Sequence, residues 1–417
     1  MWTAIKSISS LLLSYGLLLL GNGMMGILLG LRSRIEGFST EITGLIMSGY
    51  FIGMLVGALF AVRVIATVGH VRAFAALASL LSVAVLAHVL IVDPVAWFVL
   101  RVMAGFCMSG MVMVVESWVN ERSTNAMRGR ILSLYMITNY LGAGLGQFMM
   151  LIGDPAEYQL FIIASMVYSF ALVPVLLSRA SAPKPSSPQR MPFKDLFLTS
   201  PVGVMGTICA GVANASLNGM GAVFAREIGL SVAQVSTFMA MTILGGIALQ
   251  FPIGRLSDRF DRRSVLIGAS VFTALLAQAA LWATDQPFII LVLIITAYGG
   301  FAFVVYPISS SQVNDLADPD RLVQVASGLL IAYGIGASMG PILAAQAMAR
   351  FGADGFLYFL TGIYCFLALF ILVRMTQRRR AVRPKAPFLP LGSMGTSSKQ
   401  LYTAALSDSG QKEEDTH

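Results

Sequence analysis

Ionisable side chains inside apolar stretches are the first residues of this chain that could do chemistry. Arg101 and Glu116 both lie in the apolar segment 95–118. An ionisable group at bilayer depth costs at least ~2.5–3.5 kcal/mol, which makes both of them functional candidates. On a helix the two are ~22 Å apart, so they cannot pair with each other. Arg101 could contact an anion, tune a proton site or pack against helix carbonyls, and Glu116 could carry protons or belong to an ion-pair cluster. Both are candidates for ion coupling.

Uncharged polar side chains form the second set of candidates. Asn214 and Asn218 are four residues apart, so they share one helix face. Amide and phenol groups both donate and accept hydrogen bonds, which suits a polar neutral or zwitterionic ligand. The same groups also hold helices together in membrane bundles, and this alternative stays open for each residue. The candidate cavity-lining residues are Asn22, Asn139, Tyr140, Gln147, Asn214, Asn218, Tyr298, Tyr306 and Tyr333.

The chain has little material for a metal centre, a cofactor site or an enzyme. It contains three His and three Cys residues, and the cysteines lie singly within apolar runs without the C-x-x-C spacing of zinc or redox sites. The sequence lacks a G-x4-G-K-[ST] loop, so ATP-driven transport by this chain alone is not expected. We expect no cofactor, no metal and no enzymatic activity.

The composition is typical of a membrane protein. Hydrophobic residues make up 57% of the chain and charged residues 12%, whereas a soluble domain carries about 25% charged residues. The net charge of +8 could indicate a nucleic-acid partner. However, the basic residues lie in short loops and a tail rather than on a soluble face, so we expect no nucleic acid.

Twelve segments have the roughly 20 apolar residues that a membrane-spanning helix needs. The sequence therefore predicts an all-α integral membrane protein with twelve transmembrane helices. The predicted spans are 8–31, 41–62, 73–92, 95–118, 131–153, 158–178, 201–225, 233–254, 265–284, 287–311, 322–346 and 355–374.

The basic residues also predict the orientation. Of the 28 Lys and Arg residues, Arg101 lies inside a span, Arg32, Arg34, Arg226 and Arg350 lie on one side, and the remaining 23 lie on the side of the termini. By the positive-inside rule both termini are cytoplasmic. We expect a multi-pass protein of a bacterial inner membrane, in contact with lipid and monomeric.

The chain divides into two halves. The loop 179–199 contains the Pro- and Ser-rich stretch APKPSSPQRMP, which is typical of a linker. The predicted organisation is an N-terminal six-helix bundle at 1–178, a cytoplasmic linker at 179–199, a C-terminal six-helix bundle at 200–375 and a disordered cytoplasmic tail at 376–417.

The halves resemble each other in sequence. NGM occurs at 22–24 and again at 218–220, and RIEGFS at 34–39 corresponds to REIGLS at 226–231. Two further pairs recur in the same order, and all four separations are 192 to 196 residues. The pattern favours a duplicated six-helix unit, which predicts pseudo-twofold symmetry.

A dense charged stretch, GRLSDRFDRR at 254–263, lies between two apolar spans. It closely resembles G-x-L-x-D-R-x-x-R-R, the signature of the major facilitator superfamily, whose members are twelve-span transporters with six helices in each half. Residues 57–72 resemble a degraded copy without the Asp, and RVMAGFCMSG at 101–110 is similar to the family's Arg-x-x-x-Gly motif. ESWVNE and RGRILSLY resemble the bacterial YcaD-like branch of this family.

The resemblance implies that the charged stretch bridges to the other bundle and latches the cytoplasmic mouth. Breaking a desolvated pair costs a few kcal/mol whereas an exposed pair is worth ~0–1, and a latch that opens in every cycle must fall between these limits. A positive-inside stop with incidental acids is the alternative. Glu116 is one possible partner. The residues implied for the gate are Gly57, Arg63, Arg72, Glu121, Arg128, Gly254, Asp258, Arg259, Arg262, Arg263, Asp315 and Arg321.

The resemblance and the polar residues together predict a secondary transporter. It would move a small solute by alternating access between two halves, with the site near the midplane. No Asp or Glu lies in the middle of a span, so proton coupling, coupling through the substrate's own charge and facilitated diffusion all stay open. The alternatives are a drug or metabolite efflux antiporter, which the missing span-five Gly-Pro motif weakens, and a transporter-like solute sensor without net transport.

Overall fold

The computed structural model describes residues 2–121, 128–177, 191–318 and 321–377. Within these ranges the chain forms fifteen α-helices, with a 3₁₀ turn at Met149–Ile152. The first half contains α1 (Trp2–Ile35), α2 (Thr40–Val68), α3 (His70–Leu90), α4 (Pro94–Glu121), α5 (Arg128–Phe148), α6 (Gln159–Phe170) and α7 (Leu172–Leu176). The second half contains α8 (Phe193–Thr199), α9 (Pro201–Glu227), α10 (Val232–Arg259), α11 (Arg262–Ala283), α12 (Phe288–Ala302), α13 (Val305–Asn314), α14 (Leu322–Phe351) and α15 (Gly355–Gln377).

The structure confirms the predicted all-α membrane fold with two six-helix bundles. In the described part of the chain, eleven helical segments are long and apolar enough to cross a membrane. Helix α5, which corresponds to the fifth predicted span at 131–153, is not among these eleven. Its sequence is less apolar because it contains Asn139, Gln147 and three glycines between them.

Three predicted spans are not continuous α-helices. The span predicted at 131–153 ends as an α-helix at Phe148 and continues as the 3₁₀ turn. The span predicted at 158–178 divides into α6 and α7, and the span predicted at 287–311 divides into α12 and α13. Pro174 and Pro307 are each the third residue after a break. Proline has no N–H to donate four residues back, so each break follows from the missing hydrogen bond.

Two turns at one end of the bundles repeat the same local structure. Gly37 and Gly229 have φ values of 79° and 89°, which glycine adopts without strain. Ser39 then caps α2 and Ser231 caps α10, each through its hydroxyl. The two turns belong to the RIEGFS and REIGLS segments, so the sequence repeat is also a structural repeat.

The helices of each bundle pack in equivalent pairs. Helix α2 packs on α4, α1 on α5 and α3 on α6, and the equivalent pairs of the second half are α10 with α12, α9 with α14 and α11 with α15. A Cβ on Gly105 would lie 1.9 Å from the Tyr50 carbonyl oxygen, and a Cβ on Gly299 would lie 2.0 Å from that of Thr242. Only glycine permits such close approach of two helix backbones, and it does so at the equivalent crossing in both halves.

The halves meet mainly along three helix pairs, α2 with α14, α5 with α10 and α1 with α9, and α2 also contacts α9. Helix α8 lies outside this interface and packs against α9 and α14 of its own half. It occupies residues 193–199 of the segment predicted as a linker, which is therefore helical in this part. The predicted tail lies outside the described residues from 378 onwards.

Candidate functional site

A cavity lies where the two halves meet. Helices α1, α2, α4 and α5 of the first half and α9 and α10 of the second contribute to its wall. The space free of atoms in this cavity and its open mouth, solvent included, amounts to about 380 Å³. Its lining residues are Asn22, Gly23, Gly26, Ile27, Tyr50, Phe51, Arg101, Gln147, Asn218 and Met239. A small solute bound here would contact both halves.

Arg101 gives the cavity a positive charge. The residue is buried, with 5% of its surface exposed, and its guanidinium lies over the Tyr50 ring, 4.5 Å from the centroid. Among the described residues no carboxylate lies within ion-pair distance of it, and its Nε has no hydrogen-bond partner. The cation–π contact compensates only part of the hydration that burial removes. This guanidinium is therefore available to an anion.

Two other polar atoms of the wall are available for hydrogen bonding. The Tyr50 hydroxyl, which lies beside Asn22, makes no hydrogen bond of standard geometry. Gln147 donates from Nε2 to the Ala143 carbonyl over 3.2 Å, while its Oε1 has no partner among the described residues. Buried polar atoms usually find a partner, so these two indicate a place for ligand groups.

The halves touch closely at the end of the bundles that holds Arg34, which we call the Arg34 end. Arg34 of the first half pairs with Glu227 of the second over 3.5 Å. Slightly deeper, a Cβ on Gly219 would lie 3.2 Å from the Cβ of Met47. An ion pair and a backbone contact therefore join the halves on this side of the cavity.

The charged stretch lies at the opposite end, which we call the Asp258 end. Arg262 is 1% exposed and contacts Asp258 over 3.1 Å and Asp315 over 2.6 Å. Arg263 pairs with Asp261 over 3.0 Å. All of these residues belong to the second half, so these ion pairs tie the α10–α11 turn to the end of α13. A bridge to the first half stays a prediction.

The remaining residues of the predicted gate lie apart from these pairs. Gly57 and Gly254 are buried, whereas the other described members are exposed. Arg63 lies over the Phe60 ring of its own helix, 5.4 Å from the centroid. The exposed members are Arg63, Arg72, Glu121, Arg259 and Arg321, and the side chain of Arg128 lies outside the described part of the structure.

Glu116, the second coupling candidate, is half-buried in the first half and is not part of the cavity wall. It accepts a hydrogen bond from the Tyr135 hydroxyl over 2.7 Å. The Tyr135 ring stacks on Tyr15, with centroids 4.7 Å apart, and Asn139 donates to the Tyr15 hydroxyl over 2.5 Å. The carboxylate is thus part of a tyrosine network that joins α1, α4 and α5.

The uncharged candidates fall into two groups. Asn22, Gln147 and Asn218 lie on the cavity wall. The others lie outside the wall, in helix contacts. Tyr140 donates to Gln250 over 2.6 Å across the interface between the halves. The second-half members are Asn214, whose carbonyl accepts from Asn218, Tyr298, which lies against Tyr364, and Tyr306 and Tyr333, whose rings lie against each other.

Sequence reasoning missed part of the wall. Tyr50, Phe51 and Met239 line the cavity but occur in segments rich in apolar residues. For Phe51 and Met239 the sequence carries no signal that separates them from core residues. For Tyr50 a signal exists, since its position in the middle of a span is comparable to that of Tyr140 or Tyr298.

The family comparison covers both halves of the chain. The model of the Major Facilitator Superfamily matches residues 11–205 and 203–408. An uncharacterised MFS-type transporter of Yersinia pestis (strain Pestoides F) is 29% identical over 379 residues, which cover 89% of this chain and 96% of the relative. The uncharacterised MFS-type transporter YcaD of Escherichia coli O17:K52:H18 is 28% identical over 373 residues, 87% and 95% of the two chains.

Solved structures show the same fold at low identity. A point mutant of the nucleoside transporter NupG matches with a TM-score of 0.76 at 16% identity, over 88% of this chain and 99% of the other. A D-xylose-proton symporter matches with a TM-score of 0.64 at 14% identity, over 87% and 96% of the two chains. The fold of this chain is therefore common to transporters of different solutes.

Proposed function

Since the chain belongs to the Major Facilitator Superfamily, and is therefore a multi-pass membrane transporter rather than an enzyme, we propose that it moves a small solute by alternating access between its two halves. The observation that carries the proposal is the cavity at their interface, with Arg101 and Gln147 on one side and Asn218 on the other. Motion of one half against the other would expose these groups first to one face of the membrane and then to the opposite face.

The contacts at the Arg34 end support a conformation that is closed on that side. The positive-inside rule assigns the Arg34 end to the outer face and the Asp258 end, with both termini, to the cytoplasm of a bacterium. In this orientation the described conformation would admit the solute from the cytoplasm. The opposite conformation would separate Arg34 from Glu227 and bring the charged stretch towards Arg63 and Arg72.

The coupling has two candidates within this proposal. Glu116 could exchange a proton, because it is an ionisable carboxyl inside the first half, where Tyr135 donates a hydrogen bond to it. Alternatively, a charged solute at Arg101 would itself respond to the membrane potential, at ~2.3 kcal/mol per charge per 100 mV. The position of Arg101 on the cavity wall favours the second mechanism.

A cysteine-accessibility experiment tests alternating access without knowledge of the solute. The reporter is Gly26→Cys, in a chain whose Cys107, Cys209 and Cys365 are replaced by Ala. A Cβ on Gly26 meets a single atom of another helix within 4 Å, the Asn218 carbonyl oxygen at 3.7 Å, so the thiol fits on the cavity wall. A membrane-impermeant thiol reagent is added to right-side-out or to inverted membrane vesicles.

A disulfide then fixes one conformation. Met47→Cys with Gly219→Cys places two Cβ atoms about as close as a disulfide requires, since 3.2 Å is near the usual 3.5–4.5 Å. The matched control is Gly206→Cys with Ser309→Cys, a pair at 3.1 Å within the second half. Both locks are formed by oxidation before labelling and are opened again with a reductant.

We expect the reporter to react from both faces when the lock is reduced. After oxidation the 47–219 lock should limit labelling to the cytoplasmic face, while the 206–309 control should leave both faces reactive. Labelling from a single face in every sample would exclude alternating access. Labelling of the locked chain from the outer face alone would show that the orientation is reversed.

A further inference from the structure

The cavity holds a buried cation that the protein itself does not neutralise. Arg101 is 5% exposed, and no acidic residue of the described chain pairs with it or lines the cavity. An uncompensated buried charge is unfavourable, and a bound anion would compensate it. The planar guanidinium presents its donors in a fork that matches a carboxylate.

Other polar atoms of the wall indicate which further groups the ligand should carry. The Gln147 Oε1 is an acceptor without a partner, so it requires an N–H or O–H donor. A ligand ammonium group would need a counter-ion, and the wall offers no carboxylate to it. A neutral hydroxyl therefore fits this position better than an amine does. The Tyr50 hydroxyl can donate to the carboxylate or accept from the hydroxyl.

We propose that the cavity binds a small hydroxy-carboxylate, with its carboxylate on Arg101 and a hydroxyl on Gln147. Ile27, Phe51 and Met239 are the large apolar side chains of the wall and would face the carbon chain of the ligand. The proposal rests on the proposed function because it names the substrate class of that same cavity.

A binding experiment tests both halves of the proposal. The probes are lactate, malate and gluconate, each compared with a neutral counterpart (lactamide, malamide, sorbitol) and with an acid that lacks the hydroxyl (propanoate, succinate, hexanoate). Affinity is obtained from the shift of melting temperature of the detergent-purified full chain over a concentration series. We expect at least one hydroxy-carboxylate to bind at least tenfold more tightly than both of its counterparts.

Variants then assign the two contacts. Arg101→Gln should reduce the affinity for the hydroxy-carboxylate at least tenfold, and Arg101→Lys, which keeps the charge but loses the fork, should weaken it as well. Gln147→Leu should abolish the difference between the hydroxy acid and its deoxy counterpart while the carboxylate preference persists. The matched control is Arg350→Gln, at an exposed arginine outside the cavity wall. It should change neither the affinity for the hydroxy-carboxylate nor the difference between the hydroxy acid and its deoxy counterpart.

The outcomes separate this proposal from the proposed function. If none of the three hydroxy-carboxylates binds, if the neutral counterparts bind equally well, or if both Arg101 variants bind like the parent chain, the substrate class is wrong. If Gly26→Cys still reacts from both faces in that case, the proposal of alternating access remains valid and only the proposed substrate class is rejected. Binding that depends on Arg101 in a chain labelled from a single face would support the site and exclude transport.

Discussion

At the scale of single residues, close helix crossings depend on glycines at equivalent positions of the two halves. A Cβ on Gly105 would lie 1.9 Å from the Tyr50 carbonyl oxygen, which is too close for two non-bonded heavy atoms. Since Tyr50 also contacts Arg101, this crossing positions the charged group of the cavity.

Gly105→Ala should therefore destabilise the protein. Overpacking of a well-packed interface costs roughly 1–3 kcal/mol, because the helices must separate. The matched control is Gly144→Ala in α5, where a Cβ would meet no atom of another helix within 4 Å. This variant should be neutral or gain up to ~1 kcal/mol from the better helix propensity of Ala. Equal melting temperatures of the two detergent-purified variants would contradict the packing argument.

The sequence could predict the polar members of the cavity wall but could not separate them from polar residues that hold helices together. Asn22, Gln147 and Asn218 line the cavity, while Tyr140 and Asn139 bond to other helices. Both groups consist of amide or phenol side chains within predicted spans, so the sequence alone does not separate them. The distinction depends on which helix face meets the opposite half, and this is a property of the packing.

At the scale of secondary-structure elements, Arg262 links the turn between α10 and α11 to the end of α13. Its guanidinium contacts Asp258 and Asp315, and its Nη1 donates to the Ser257 hydroxyl. The side chain is 1% exposed and that of Asp315 is 11% exposed, so both charges depend on each other for compensation.

Arg262→Met should lower the free energy of unfolding by about 3–5 kcal/mol, because it removes the buried guanidinium that compensates the mostly buried carboxylate of Asp315. Arg263→Gln serves as the control, since its pair with Asp261 is more exposed, at 14% and 20%, so its removal should cost less than that of Arg262. Thermal unfolding of both variants measures the difference. If Arg263→Gln lowered the stability as much as Arg262→Met does, the burial of Arg262 would not explain its contribution.

Most helices could be predicted from the sequence because each is a long apolar run between turn residues. The exceptions have local causes. Pro174 and Pro307 interrupt two of the runs, and α8 is too short to show an apolar period. The two equivalent turns could also be predicted, because the sequence repeats Gly37 and Ser39 as Gly229 and Ser231.

At the scale of the whole molecule, the two halves surround one cavity and are joined at the Arg34 end. The cross-half contacts include an ion pair and close packing of Gly219 against Met47 at the Arg34 end, and a hydrogen bond between Tyr140 and Gln250 further along the interface towards the Asp258 end. The ion pair, with side chains 37% and 25% exposed, is worth little, so it would not by itself hold this end closed. The sequence indicated two halves through its repeat, but not which end of the interface is closed.

The central claim is that the halves move against each other, and distances between spin labels test it most directly. One pair, Glu157→Cys with Asp285→Cys, spans the halves at the Arg34 end, and a second, Thr67→Cys with Ser264→Cys, spans them at the Asp258 end. The control pair is Ser264→Cys with Asp318→Cys within the second half. All of these positions are exposed.

Double electron–electron resonance on the reconstituted chain, with its native cysteines replaced, should give two distances for each cross-half pair and one for the control. Conditions that favour the longer distance at the Arg34 end should favour the shorter one at the Asp258 end. A single unchanging distance at both ends, or changes of the same sign, would contradict alternating access.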